Sequence, residues 1–169
     1  MAIDPWPPKT PFFKWCVRNP MEVILCFLVI ILNIVVFLQV FYRYALQSPL
    51  PWSEELAMFL FQWTGFVGAG VAVRRQTHYT LDLVTKRLSP RKRNVTHILG
   101  SLMIFITAFI MFYIGWDMVN LTMGQEYAGL RVPVGYAYVA IVLSGLMMFI
   151  FQIPIFINQI QELKAKVEP

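Results

Sequence analysis

Four long stretches of the chain carry no Lys, Arg, Asp or Glu: Val23–Tyr42, Leu56–Val73, Asn94–Trp116 and Val132–Gln161, of 20, 18, 23 and 30 residues. Apolar side chains fill them almost without interruption. A helix rises about 1.5 Å per residue, so about 20 such residues cross a hydrocarbon core ~30 Å thick. Each stretch is long enough to do so. In lipid, every backbone N–H and C=O must be satisfied internally, which leaves helices or closed barrels. Barrel strands alternate in polarity over about ten residues, and "VILCFLVIILNIVVFLQVFY" does not alternate. The pattern predicts an all-α membrane protein: one domain over 1–169 with four transmembrane helices, at about 21–42, 53–73, 95–118 and 133–157.

The flanks of these stretches carry helix signals. "RNPMEVIL" places Asn19 as a cap, Pro20 at the first helical position and Glu22 three residues after the cap. "LPWSEELAMFLFQW" suggests a second helix capped by Ser53, with Glu54 and Glu55 in the first turn, where the helix dipole favours negative charge. Within that helix Gly65, Ala69 and Ala72 recur on one face with Gly68 beside them, a pattern that lets another helix approach closely. Between the second and third spans, Leu81, Val84 and Leu88 recur at helical spacing before Ser89-Pro90. That segment reads as a short amphipathic helix lying in the membrane interface. Pro154 falls inside the long fourth stretch, where a bend is expected.

Composition sharpens the class. Of 169 residues 58% are hydrophobic and 14% charged, against roughly 25% charged in a soluble domain. Twelve basic residues lie in the N-terminal segment, the loop after the second span and the C-terminus, whereas Arg43 and Arg131 alone occupy the other two loops. The positive-inside rule then puts both termini and the central loop in the cytoplasm. The net charge of +5 is accounted for by this topology and calls for no nucleic acid. "MAIDPWPPKTPFFKWCVRNP" lacks the pattern of a cleavable signal peptide, so the first span is expected to serve as an uncleaved anchor. Cys16 and Cys26 fall in cytoplasm and membrane, which argues against a disulfide.

Candidate chemistry is sparse. No Asp, Glu, Lys or Arg falls near the centre of a charge-free run, where an ion or substrate pathway usually announces itself. Glu22 is read as a capping residue at the interface. His78 and His97, the two histidines, lie near the cytoplasmic boundary and do not form the facing pair that a membrane haem needs. No catalytic residue, substrate site, metal site or cofactor is expected in this chain. What remains is a set of charges flanking the external loops: Arg43, Glu54, Glu55, Asp117, Glu126 and Arg131. Arg43 is a candidate partner for Glu54 or Glu55, and Asp117, Glu126 and Arg131 are candidates for docking a protein outside the membrane.

The segment "FYRYALQSPLPWSEELAMFLFQWTGFVGAGVAVRRQTHYTLDL" resembles the small (DctQ-type) membrane subunit of tripartite ATP-independent periplasmic, or TRAP, transporters. The resemblance is carried by Arg43, Trp52, Ser53, Glu54, Glu55, Trp63, Gly68, Ala69, Arg74, His78 and Asp82. Gln76 and Thr77 stand where members often have Gly, and Tyr138 leads to Val142 with Gly145 displaced from the usual Tyr, Pro, Gly order. The resemblance implies a non-catalytic accessory subunit in a bacterial inner membrane. It would support the scaffold of a large elevator-type subunit that holds the substrate and Na⁺ sites, and a periplasmic substrate-binding protein would deliver the organic anion. Sialic acids and C4-dicarboxylates are typical of the family. These motif residues, with Gly65, would then be subunit-interface or membrane-anchoring positions in contact with phospholipid. The rival readings are a membrane anchor or assembly subunit of a respiratory enzyme, and a small homodimeric transporter.

Overall fold

In a computed structural model, residues 16–17, 19–75 and 90–165 are described, with backbone only for 90–95 and 162–165. Four helices account for most of them: α1 Pro20–Tyr44, α2 Pro51–Arg74, α3 Pro90–Thr122 and α4 Gly135–Ala165. All four contain a segment long and apolar enough to cross a membrane: Pro20–Tyr44, Pro51–Arg74, Thr96–Thr122 and Gly135–Gln161. The amphipathic helix expected around Leu81–Leu88, together with His78 and Asp82, lies outside the described residues.

Local sequence explains the helix boundaries. Pro20 and Pro51 sit at the first helical positions, where a missing N–H costs nothing and the fixed φ suits the helix. Ser53 is therefore not the cap of α2. Leu50 takes that position, and the Ser53 hydroxyl donates back to the Leu50 carbonyl at 2.8 Å. Asn19 likewise makes no side-chain cap to α1. The α1–α2 connection is short, with the Ser48 N–H reaching the Tyr42 carbonyl at 3.0 Å and Gln47 at a positive φ of 49°. α4 runs unbroken through Pro154.

The helices pack in the spatial order α1–α2–α4–α3. α4 is the centre, flanked by α2 and α3, while α1 leans on the outer side of α2. Between α3 and α4 the backbones nearly touch. A Cβ on Gly145 would fall 2.8 Å from the Ala108 carbonyl oxygen and 2.9 Å from the Phe112 nitrogen, so only glycine fits. Such close approach replaces the hydrophobic drive that is missing between helices in lipid. Two hydroxyls reinforce the bundle: Ser101 donates to the Gln159 Oε1 at 2.7 Å and Ser144 to the Phe66 carbonyl at 2.6 Å. Val73, Ala108 and Met148 form the apolar centre where α2, α3 and α4 converge, with Ala69, Ile104, Met111 and Phe151 around it. The expected small-residue face of α2 is divided among different surroundings. Gly68 faces Leu25 of α1, Ala69 joins the core, and a Cβ on Gly65 would meet nothing within 4 Å.

Candidate functional site

The two ends of α2 collect most of the charged side chains that the sequence singles out. At the end that begins with Pro51, the connection between α3 and α4 folds back as a small hairpin: the Val134 N–H donates to the Gln125 carbonyl at 2.8 Å and the Tyr127 N–H to the Val132 carbonyl at 3.0 Å. Glu126 and Pro133 form a single antiparallel bridge within it. The tip of this hairpin rests on the first turn of α2. There Glu55 Oε2 accepts the backbone N–H groups of Gly129 and Leu130, at 2.8 and 2.9 Å. Gly129 is required by the contact, since its Cβ would stand 2.9 Å from the Trp52 Cα. Two charge-assisted bonds to one carboxylate oxygen make a strong clamp.

Further along α2, the Trp63 indole N–H donates to the Tyr136 carbonyl at 3.2 Å, at the start of α4. Glu55 and Trp63, eight residues apart, thus hold the hairpin and the helix that follows it. Tyr127, inside the hairpin, has its phenol pKa raised by burial and by the neighbouring Tyr138 and Glu55. Glu54 takes no part in the clamp. It is exposed on a neighbouring face of α2, in line with the exposed Met58, Phe61 and Gly65. Arg43 is exposed as well, its guanidinium 5.9 Å from the Tyr44 ring centroid. The described residues contain no ion pair between Arg43 and either glutamate. Glu126, Arg131 and Asp117 are exposed, Arg131 at a positive φ of 53°.

At the other end of α2, Glu22 of α1 is 4% exposed and receives two guanidinium groups. Its Oε1 accepts the Arg75 Nε–H at 3.2 Å, and its Oε2 lies 3.5 Å from Arg74 Nη1, an ion-pair distance without hydrogen-bond geometry. Arg74 also packs over the Phe151 ring of α4, 5.9 Å from its centroid. Glu22 is thus the ionic tie between α1 and α2 rather than a capping residue. Sequence reasoning missed this because the pair is 53 residues apart in the chain. The only signal was a carboxylate and two arginines bordering successive apolar runs on the same predicted side. Among the described residues, no group of three or more His, Cys, Asp or Glu stands close enough to hold a metal ion.

Four apolar helices tied by buried polar contacts at both ends define a small multi-pass integral membrane protein. The chain belongs to the family of tripartite ATP-independent periplasmic transporters, DctQ component, which matches residues 32–162. Among its relatives, the sialic acid TRAP transporter small permease protein SiaQ of Vibrio cholerae is 25% identical over 70% of this chain and 74% of its own length. The sialic acid TRAP transporter permease protein SiaT of Haemophilus influenzae is 38% identical over 46% of this chain, a stretch that spans only 12% of that protein. The isethionate TRAP transporter permease protein DctMQ of Oleidesulfovibrio alaskensis is 27% identical over 57% of this chain and 16% of its own length.

Proposed function

We propose that this chain is the accessory membrane subunit of a Na⁺-coupled TRAP transporter for organic anions, of the sialic acid or C4-dicarboxylate class. The observation that carries the reading is family membership over most of the chain. Two of the relatives are permeases of which the matching stretch makes up 12% and 16%. In this system a large membrane subunit holds the substrate and Na⁺ sites. The small subunit sits in the bacterial inner membrane with both termini in the cytoplasm. The Glu55-clamped hairpin then faces the periplasm, where its exposed Glu126 and Arg131 are available to a substrate-binding protein.

The test is affinity purification of the tagged chain from its native membrane in mild detergent, followed by mass spectrometry. Co-recovery of a polytopic permease near one-to-one, together with loss of organic-anion uptake when the chain is deleted, is the expected result. Recovery of a haem or flavin enzyme instead would replace this reading with the respiratory-anchor one. Liposome uptake by the chain alone would replace it with that of a self-sufficient transporter.

A further inference from the structure

Asp117 follows directly on the charge-free run Asn94–Trp116 and, by sequence, stands at the edge of a span. Its position in the fold is deeper. Across the α3–α4 contact, Gly115 lies against Ile141 and Val142, and Met123 against Gly135, so Asp117 is level with a point one turn into α4. Ser144 meets the Phe66 carbonyl and Met147 meets Gly70, so the start of α4 is level with Ala57 and Met58 of α2. Asp117 is therefore at the height of Gln62, inside the apolar run Leu56–Val73. About six helical residues, about 9 Å, separate that height from Leu56.

The side chain also points the wrong way for a residue meant to stay within this chain. Tyr113, Asp117 and Asn120 recur at i, i+4 and i+7 and are all exposed, whereas Ala108, Gly115 and Val119 on the opposite side of α3 are buried. Among the described residues no ion pair or hydrogen bond reaches Asp117. An isolated carboxylate facing hydrocarbon is strongly disfavoured and is ordinarily found facing a protein partner that neutralises it. Exposed Leu121 and Met123 lie between Asp117 and the hairpin, so the charge is not simply at the water boundary.

We infer that the Tyr113–Asp117–Asn120 face of α3 is a docking surface for a transmembrane helix of the large permease subunit, one that presents an Arg or Lys side chain to Asp117. This rests on the accessory-subunit reading given above. Charge complementarity selects the partner: a membrane-embedded cation and a membrane-embedded carboxylate each need the other, and Tyr113 and Asn120 supply hydrogen bonds on either side.

The experiment is recovery of the large subunit on the tagged full-length chain, comparing wild type with Asp117→Glu, Asp117→Leu and Asp117→Lys at equal membrane abundance. Removing one member of a desolvated charge pair predicts at least about a tenfold loss for Asp117→Leu. Asp117→Lys, which sets like charges together, loses more, and Asp117→Glu retains binding. Because a charge variant can also misfold, a photoreactive phenylalanine analogue placed at position 113 provides a second readout. It is expected to yield an adduct with the large subunit on illumination. Unchanged recovery by Asp117→Leu and Asp117→Lys, or photo-adducts with lipid alone, overturns the inference while leaving the accessory role standing. Failure of the wild-type chain to recover any large permease overturns the accessory role, and this inference with it.

Discussion

Replacing Glu22 with Gln removes the charge that two arginines share while nearly preserving shape. Glu22 is almost fully buried, so its ion pairs are sheltered from water on one side. The two arginines differ: the Arg74 side chain is 19% exposed and that of Arg75 is 34% exposed. Breaking a fully buried pair costs about 3–5 kcal/mol because the surviving charge is left unsatisfied. Here the released guanidinium groups can turn toward solvent or lipid headgroups, and the more exposed Arg75 contact is discounted for screening. A loss of about 1.5–3 kcal/mol follows, the range of a hydrogen bond to a charged group. The loss falls on α1 specifically, since α1 packs chiefly on α2. The assay is a double-mutant cycle on thermal unfolding in detergent, with Glu22→Gln, Arg75→Gln and the pair. A disulfide reporter between Leu25→Cys and Gly68→Cys, on a background lacking the native cysteines, reads α1 docking directly, since Leu25 already meets Gly68 in side-chain contact range. Coupling near zero in the cycle, with undiminished cross-linking in Glu22→Gln, would refute the ionic tie.

Three further outcomes are expected. Glu55→Ala strips the acceptor from two backbone amides and should cost about 1–3 kcal/mol, with amide exchange accelerating at Gly129 and Leu130; protection unchanged at those two amides would exclude the clamp. Gly145→Ala drives a Cβ into the α3 backbone and should destabilise the fold by about 1–3 kcal/mol, whereas Gly65→Ala, with open space around it, should be near neutral in the isolated chain; equal effects on melting temperature would contradict the packing. The Tyr127 phenol is harder to ionise in the fold than in the unfolded chain, so the stability it contributes is full below the ordinary tyrosine pKa and lost as pH rises through the raised folded value. Melting temperature should accordingly fall more steeply above about pH 10 in wild type than in Tyr127→Phe, and parallel pH profiles would show that Tyr127 is not the group responsible.

The four helices were legible because lipid imposes a crude requirement, length without charge, that composition alone displays. Their ends were legible where proline fixes the backbone: Pro20 opens α1 as expected, whereas Ser53 gave way to Leu50 because Pro51 had already started α2. Partners were not legible. Glu55 is a dipole-compatible residue by sequence, yet its carboxylate is committed to Gly129 and Leu130, more than seventy positions away. The same holds for glycines. Gly65 fits a packing pattern and packs against nothing, while Gly145, noted only as a displaced motif residue, is the one that the α3 backbone requires. Periodicity identifies a face but not the neighbour that will cover it, because the neighbour is set by which helix arrives there.

The arrangement of helices accounts for the distribution of polar residues better than any single motif. Both hairpins are closed internally, α1–α2 by Glu22 with the two arginines and α3–α4 by backbone contact at Gly145. The hairpins are then fastened to each other through α2, by Glu55 and Trp63 near one end and by Ser144 on the Phe66 carbonyl further along. Each of these polar groups is engaged within the chain. Among the described residues, the exposed charges left over include Arg43, Glu126 and Arg131 at the loops, Glu54 on the open side of α2 and Asp117 on the outward side of α3. A protein that spends its buried polarity on fixing its own shape, and leaves single carboxylates on its outer faces, is built to be held against something else.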